Sequence, residues 1–174
     1  MRTILRHFLS ILFLPFVVLV VVPVLILIFR ESGTGLWGID STLFWLGRIS
    51  GGGLMMAGLI LIGWCVYLFA QLGHGTLAPW DPPRHFVALG PYQYVRNPMI
   101  IGGGMMVFGE ALFWGSWLLF IWACFFLVMN HFYFVFSEEP RLEQRFGQTY
   151  RLYKANVPRW IPRLKPWSEK QLGS

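Results

Sequence analysis

The sequence predicts an all-α integral membrane protein, with four transmembrane helices and a C-terminal amphipathic helix in the cytoplasm. Three observations predict it. Hydrophobic residues make up 56% of the 174 and charged residues only 13%, against about 25% charged in a soluble domain. Apolar runs near the length of a bilayer recur along the chain. The basic residues between them are divided very unevenly. The length suits a single membrane domain, residues 1–174. Mean hydropathy is +0.56 and net charge +6. The basic residues flank the apolar runs, so the charge speaks for orientation in a lipid bilayer and not for a nucleic-acid partner.

The first span covers residues 11–29, an unbroken apolar run preceded by Arg2 and Arg6. Its core is longer than that of a signal peptide and no small-x-small cleavage site follows, so it is expected to stay as an anchor. Pro15 and Pro23 are expected to bend it. Residues 30–48 read as a polar loop with Glu31, Gly33, Gly35 and Asp40. The second span covers 49–70 and carries Gly51, Gly52, Gly53, Ala57, Gly58 and Gly63, small residues that permit close helix contact. Residues 73–97 form a Gly- and Pro-rich loop, HGTLAPWDPPRHFVALGPYQYV at its centre, with no apolar period long enough for a helix. Asp81, Arg84 and His85 are candidates for a cover over a pocket. The third span, 98–114, opens on Pro98, a favoured first-turn residue. Gly115 and Ser116 make a tight hairpin to the fourth span, 116–136. Cys65 and Cys124 fall inside apolar runs, without metal-site or disulfide spacing, and read as buried small residues. No metal site is expected. Trp37, Trp80, Trp114, Trp160 and Trp167 lie near run ends, as an interfacial belt requires.

Four spans put the N-terminus, the 73–97 loop and the C-terminal region on one side. That side holds Arg2, Arg6, Arg84, Arg96 and the eight basic residues from Arg141 onward; the other holds Arg30 and Arg48. Twelve against two places both termini in the cytoplasm.

Residues 137–162, SEEPRLEQRFGQTYRLYKANVPRWIP, follow directly on the last run. Leu142, Phe146, Tyr150 and Tyr153 share one helical face, with Arg141, Arg145, Arg151 and Lys154 over most of the rest; Pro158 and Pro162 stop the helix. Such a helix suits an anionic leaflet. That reading leaves Glu138 and Glu139 unexplained. Adjacent carboxylates at the membrane edge repel, which raises a pKa unless a cation sits beside them. The hairpin brings this end of the fourth span to the start of the third, so Arg96, Asn97, Glu138 and Glu139 are expected around one pocket. Gly102, Gly103 and Gly104 lie a turn deeper, where a ligand or another helix comes close. Glu110, Asn130 and His131 are polar residues inside spans. Such residues are functional candidates, and His131 lies within two turns of Glu138.

GPYQYVRNP, followed at a distance by SEEPRLEQRFGQTYRLYKANVPRWIP, resembles the isoprenylcysteine carboxyl methyltransferase and phospholipid methyltransferase superfamily. GTLAPWDPPRHFVALG upstream fits its bacterial members, and the resemblance covers roughly Gly73 to Pro162. It implies an S-adenosylmethionine-dependent methyltransferase in a bacterial inner membrane, acting on a lipophilic substrate. The reaction is carboxyl O-methylation of an isoprenylcysteine-like compound or N-methylation of a phospholipid amine. It also implies roles for residues. Arg96, Asn97 and Pro98 stand at the family's Arg-His-Pro block and line the cofactor pocket. Glu138 and Glu139 bind from the other side. Tyr150, Tyr153 and Arg159 close the site, Tyr153 and Arg159 as the catalytic candidates. The residues themselves, and not the resemblance, add Tyr92, Gly102, Gly103 and His131 to the cofactor-binding candidates. Asn97 replaces a common His, Ile100 a common Tyr, and Thr149 a common acidic residue.

The residues agree with this chemistry. A carboxylate pairs with the cofactor's ammonium, and aromatic faces such as Tyr92 or Tyr153 meet its sulfonium. Arg159 suits a carboxylate substrate. The alternatives are an NADPH-dependent membrane reductase of the sterol type, which an acidic cofactor mouth argues against, and a non-catalytic four-span binding protein. The substrate and the oligomeric state are not legible in the sequence.

Overall fold

The computed structural model describes residues 16–29, 41–72 and 88–168. Among them there are helices and turns and no strand. A π-turn at Val17–Val21 leads into α1, Val22–Ile28. Next come α2, Ser41–Leu72; α3, Pro98–Trp114; α4, Trp117–Tyr133; and α5, Glu139–Asn156. A second π-turn, Phe134–Glu138, joins α4 to α5 without a break. Arg2, Arg6, Arg30, Trp37, Trp80, Asp81, Arg84 and His85 lie outside the described residues.

Two helical stretches, Phe44–Phe69 and Trp117–Asn156, are long and apolar enough to cross a membrane. Only 11% of each apolar window is buried inside the protein, so lipid is the natural cover for side chains such as Ile49, Ile60 and Phe132. Val17–Ile28 and Pro98–Trp114 are apolar but shorter.

The chain divides into two compact units, one of residues 1–60 and 102–127, the other of 61–101 and 128–174. In the first unit, α2 and α3 meet backbone to backbone. A Cβ built on Gly51 would stand 2.6 Å from the Gly109 carbonyl oxygen, and one on Gly58 would stand 2.5 Å from that of Gly102. As the number rises on one helix it falls on the other, so the two run antiparallel with glycine at each close approach. Gly103 and Gly104 face the Phe126 and Leu127 side chains. The glycine run thus serves helix packing. The expected hairpin is present. Gly115, at φ +57°, gives its N–H to Leu112, and the Ser116 N–H reaches Ala111, which satisfies the last carbonyls of α3.

Helix α2 begins eight residues before the expected span, because Ser41–Arg48 continues it in place of a polar loop. The Arg48 guanidinium lies 4.8–6.0 Å from the rings of Phe44, Trp45, Phe113 and Trp114. Those ring faces meet the charge where a loop was expected to solvate it.

In the second unit, α5 departs from the straight amphipathic helix. Gly147 takes φ +53°, ψ −125°, a conformation open to glycine alone. Across it, Arg151 Nε lies 2.8 Å from Glu143 Oε1 and Lys154 Nζ 3.4 Å from Glu139 Oε2. Fifteen residues of straight helix span about 22 Å, beyond the reach of those side chains. The helix therefore folds back on itself at Gly147, pairing 143 with 151 and 139 with 154.

The face with Leu142, Phe146, Tyr150 and Tyr153 is turned inward. Tyr150, Tyr153, Val157 and Trp167 form a buried cluster, with Ala88, Leu142 and Phe146 against it. Each such large side chain contributes roughly 1.5–3 kcal/mol when fully buried. Trp167, expected in an interfacial belt, is 4% exposed and meets Tyr153 edge to face at 5.4 Å. The face expected to lie on a leaflet is thus occupied by protein.

Candidate active site

All of the polar site lies in the second unit. The 3-10 turn Gly90–Gln93 and the start of α3 present Tyr92, Arg96, Asn97 and Pro98. The end of α4 presents His131, and the fold-back presents Glu138, Glu139, Tyr150, Tyr153 and Lys154. After α5 the chain turns extended at Val157 and crosses residues 93–96 as a strap. Arg96 N–H donates to Pro158 O at 2.9 Å, Arg163 N–H to Tyr94 O at 3.0 Å and Trp167 N–H to Gln93 O at 3.0 Å. The strap carries Arg159 and Trp160. Tyr153 adds a tie, its hydroxyl donating to Tyr92 O at 2.7 Å.

Glu139 is the centre of the site. It is 4% exposed. Arg96 Nη1 donates to its Oε1 at 2.8 Å, Arg159 Nε to the same oxygen at 2.7 Å, and Arg159 Nη2 to Oε2 at 3.0 Å. Lys154 stands at 3.4 Å. Burial alone pushes the Glu139 carboxyl upward; the Arg159 hydrogen bond and the charges of Arg96, Arg159 and Lys154 outweigh it and hold it below the ordinary value. The expected rise from repulsion between the carboxylates is therefore reversed at Glu139. Glu138 is half-buried and accepts a long hydrogen bond, 3.4 Å, from the Tyr133 hydroxyl.

The expectation that a cationic ligand meets this carboxylate pair changes at Glu139. Glu139 already has its cations, and they come from the chain. Arg96, Arg159, Lys154 and Arg151 bring four positive charges against Glu139 and Glu143. With the adjacent Glu138 counted, four against three leaves an excess of one positive charge, which favours an anionic group.

Two donors here lack partners. Arg96 Nε and Asn97 Nδ2 are buried with no hydrogen-bond acceptor among the described residues. Asn97 is 7% exposed, and a buried donor left unsatisfied costs about 1–3 kcal/mol. Adjacent in sequence, they are suited to an acceptor oxygen of a bound molecule.

The aromatic residues are raised in pKa by burial. The Tyr150 phenol is pushed up to about 12, those of Tyr92 and Tyr153 well above the ordinary value. All three are hydrogen-bonding groups and not bases at neutral pH. Tyr92 is engaged with the Cys65 thiol and stands edge-on to Phe69 at 5.4 Å. His131 Nδ1 accepts from Trp160 Nε1 at 3.0 Å. Gly102 and Gly103, expected at the cofactor, belong to the first unit, where the Gly102 carbonyl meets Gly58 and Gly103 faces Phe126. An open cavity of about 230 Å3 completes the second unit. Its apolar walls include Leu61, Trp64, Val95, Pro98, Ile101 and Pro162. Val95 and Pro98 flank the two orphan donors in sequence.

The structure thus unites Arg96, Glu139, Tyr150, Tyr153 and Arg159. Lys154 and Trp160 are the contributors that sequence reasoning missed. Only the Gly147 fold-back brings Lys154 to Glu139, and no sequence spacing links Trp160 to His131.

Residues 46–149 match the phospholipid methyltransferase family. The chain belongs to that family. An uncharacterized protein of Haemophilus influenzae is 35% identical over 69 residues, 40% of this chain and all of that protein. Membership of a methyltransferase family, with two apolar helices able to cross a membrane, points to a membrane-integrated methyltransferase.

Proposed function

We propose that this protein is an S-adenosylmethionine-dependent methyltransferase whose acceptor is the amine of a phospholipid. The observation that carries the reading is the buried cationic cluster around Glu139, with orphan donors on Arg96 and Asn97, in a member of the phospholipid methyltransferase family. These residues fit the cofactor. The two orphan donors suit its carboxylate, and Glu138, free of any arginine or lysine contact among the described residues, suits its ammonium. When bound, the cofactor supplies an activated methyl group on sulfur.

The chain's own task is to position and to exclude water. The excess positive charge attracts a phosphate and disfavours a protonated amine, so the acceptor is held with its nitrogen lone pair available. The apolar cavity beside Arg96 and Asn97 suits a hydrocarbon tail. Arg159 has Nε and Nη2 committed to Glu139. It is therefore poorly placed to clamp a carboxylate acceptor, and Tyr153, its hydroxyl donating to Tyr92 O, acts as support.

Calorimetry on the purified protein in detergent tests the reading. S-adenosylmethionine or its demethylated product is expected to bind, and NADPH is not. Labelled methyl groups are expected to pass to ethanolamine phospholipid in vesicles and not to a prenylcysteine. Binding of NADPH alone would overturn the proposal.

A further inference from the structure

The strap that carries Arg159 is tied at three backbone positions to residues 93–96. A different tie reaches α4. Trp160 Nε1 donates to His131 Nδ1 at 3.0 Å, and the two rings lie 6.1 Å apart at 29°. An indole nitrogen is a donor only. His131 Nδ1 must therefore carry no proton, and the ring's proton sits on Nε2. One residue earlier on the strap, Arg159 makes its two-point contact with Glu139. His131 and Glu139 lie on one unbroken helical path, α4–π-turn–α5.

The spacing has a helical reason. Eight residues of α-helix leave two side chains about 80° apart around the axis. A π-turn inserts an extra residue, and Phe134–Glu138 lies between the two. Seven effective residues return to within about 20° of the starting face. The π-turn thus sets His131 and Glu139 on one side of the helix, so that Trp160 and Arg159, adjacent on the strap, form successive rungs to it.

We infer that Trp160 and His131 form a latch that positions Arg159 on Glu139, and so fixes the cationic cluster for ligand binding. Trp160 and His131 act here as positioning residues. The ligand half of this inference rests on the function proposed above; the latch itself does not. Without the Trp160 rung, the segment between Pro158 and Arg163 is held to residues 93–96 at its ends only. Arg159 then loses its fixed approach to the carboxylate.

Three full-length variants in detergent test it. Trp160→Phe keeps an aromatic ring, though a smaller one, and removes the N–H. His131→Leu removes the acceptor. His131→Asn returns an acceptor oxygen near the place of Nδ1. The readouts are the Trp160 indole N–H resonance, the rate of trypsin cleavage after Arg159 and Arg163, and affinity for the demethylated cofactor. Trp160→Phe and His131→Leu should each speed both cleavages and weaken the ligand about fivefold, the worth of one intramolecular hydrogen bond. His131→Leu should move the indole resonance toward that of a solvent-exposed tryptophan, and His131→Asn should restore all three readouts. Parent-like cleavage in Trp160→Phe, or no rescue by His131→Asn, overturns the latch. If the parent fails to bind the demethylated cofactor, the proposed function falls, and the resonance and cleavage results alone decide the latch. If the parent binds and the variants bind equally well while cleaving faster, the positioning role is overturned.

Discussion

Replacing Glu139 with Gln removes a charge and little else. Gln has nearly the same volume and keeps one acceptor oxygen. In the parent, the carboxylate faces Arg96 at 2.8 Å and Arg159 at 2.7 and 3.0 Å, with guanidinium side chains only 11% and 22% exposed. Removing one partner of a buried ion pair costs about 3–5 kcal/mol, because the charge left behind is uncompensated. Lys154 is 39% exposed and reorients into water, so it adds little. The lower end, about 3 kcal/mol, is the expected loss, which corresponds to roughly 6–12 °C in Tm for a chain of this size. Glu138→Gln keeps an acceptor for the one long hydrogen bond from Tyr133 and should cost less than about 1 kcal/mol.

Acid should reproduce the first effect. The Glu139 carboxyl has a lower pKa in the fold than its unfolded value of about 4.3. Its contribution is complete above that unfolded value and is lost as pH falls through the folded one. Thermal unfolding in detergent, followed by circular dichroism from neutral pH to below 4, measures both effects. Equal melting of Glu139→Gln and Glu138→Gln would refute the reasoning and remove Glu139 from the centre of the site. So would parent-like melting of Glu139→Gln.

Two further outcomes are expected. Gly147→Ala meets no atom within 4 Å, so its cost is the backbone conformation alone; the fold-back should lose about 1–3 kcal/mol, and a crosslink between cysteines placed at 143 and 151 should become less efficient. Reporter fusions at Ser174 and near Gly35 should fall on opposite sides of the membrane, as four spans with twelve basic residues against two require; the same side for both would remove that topology.

The sequence by itself determined the helical class, the membrane character and the start of α3, because those rest on local quantities. A run of apolar residues needs lipid or a core whatever lies around it, Pro98 favours a first turn in any context, and Gly115 closes the hairpin through its own backbone freedom. It also named Arg96, Asn97, Glu139, Tyr150, Tyr153 and Arg159 as one group, through two motif blocks that a hairpin must join. What it did not determine is the sign of the site. Two adjacent carboxylates read as an unmet negative charge, yet Arg159 and Lys154 neutralise one of them from 20 and 15 residues away. The reason is the backbone at Gly147. Side-chain periodicity carries no information on whether a glycine within a helical pattern continues the helix or reverses it; the packing of Tyr150 and Tyr153 against Val157 and Trp167 is what rewards the reversal. The same holds for the glycines of α3, whose missing side chains admit equally a ligand or a second helix; α2 packs against Gly109, and side chains of α4 pack against Gly103 and Gly104.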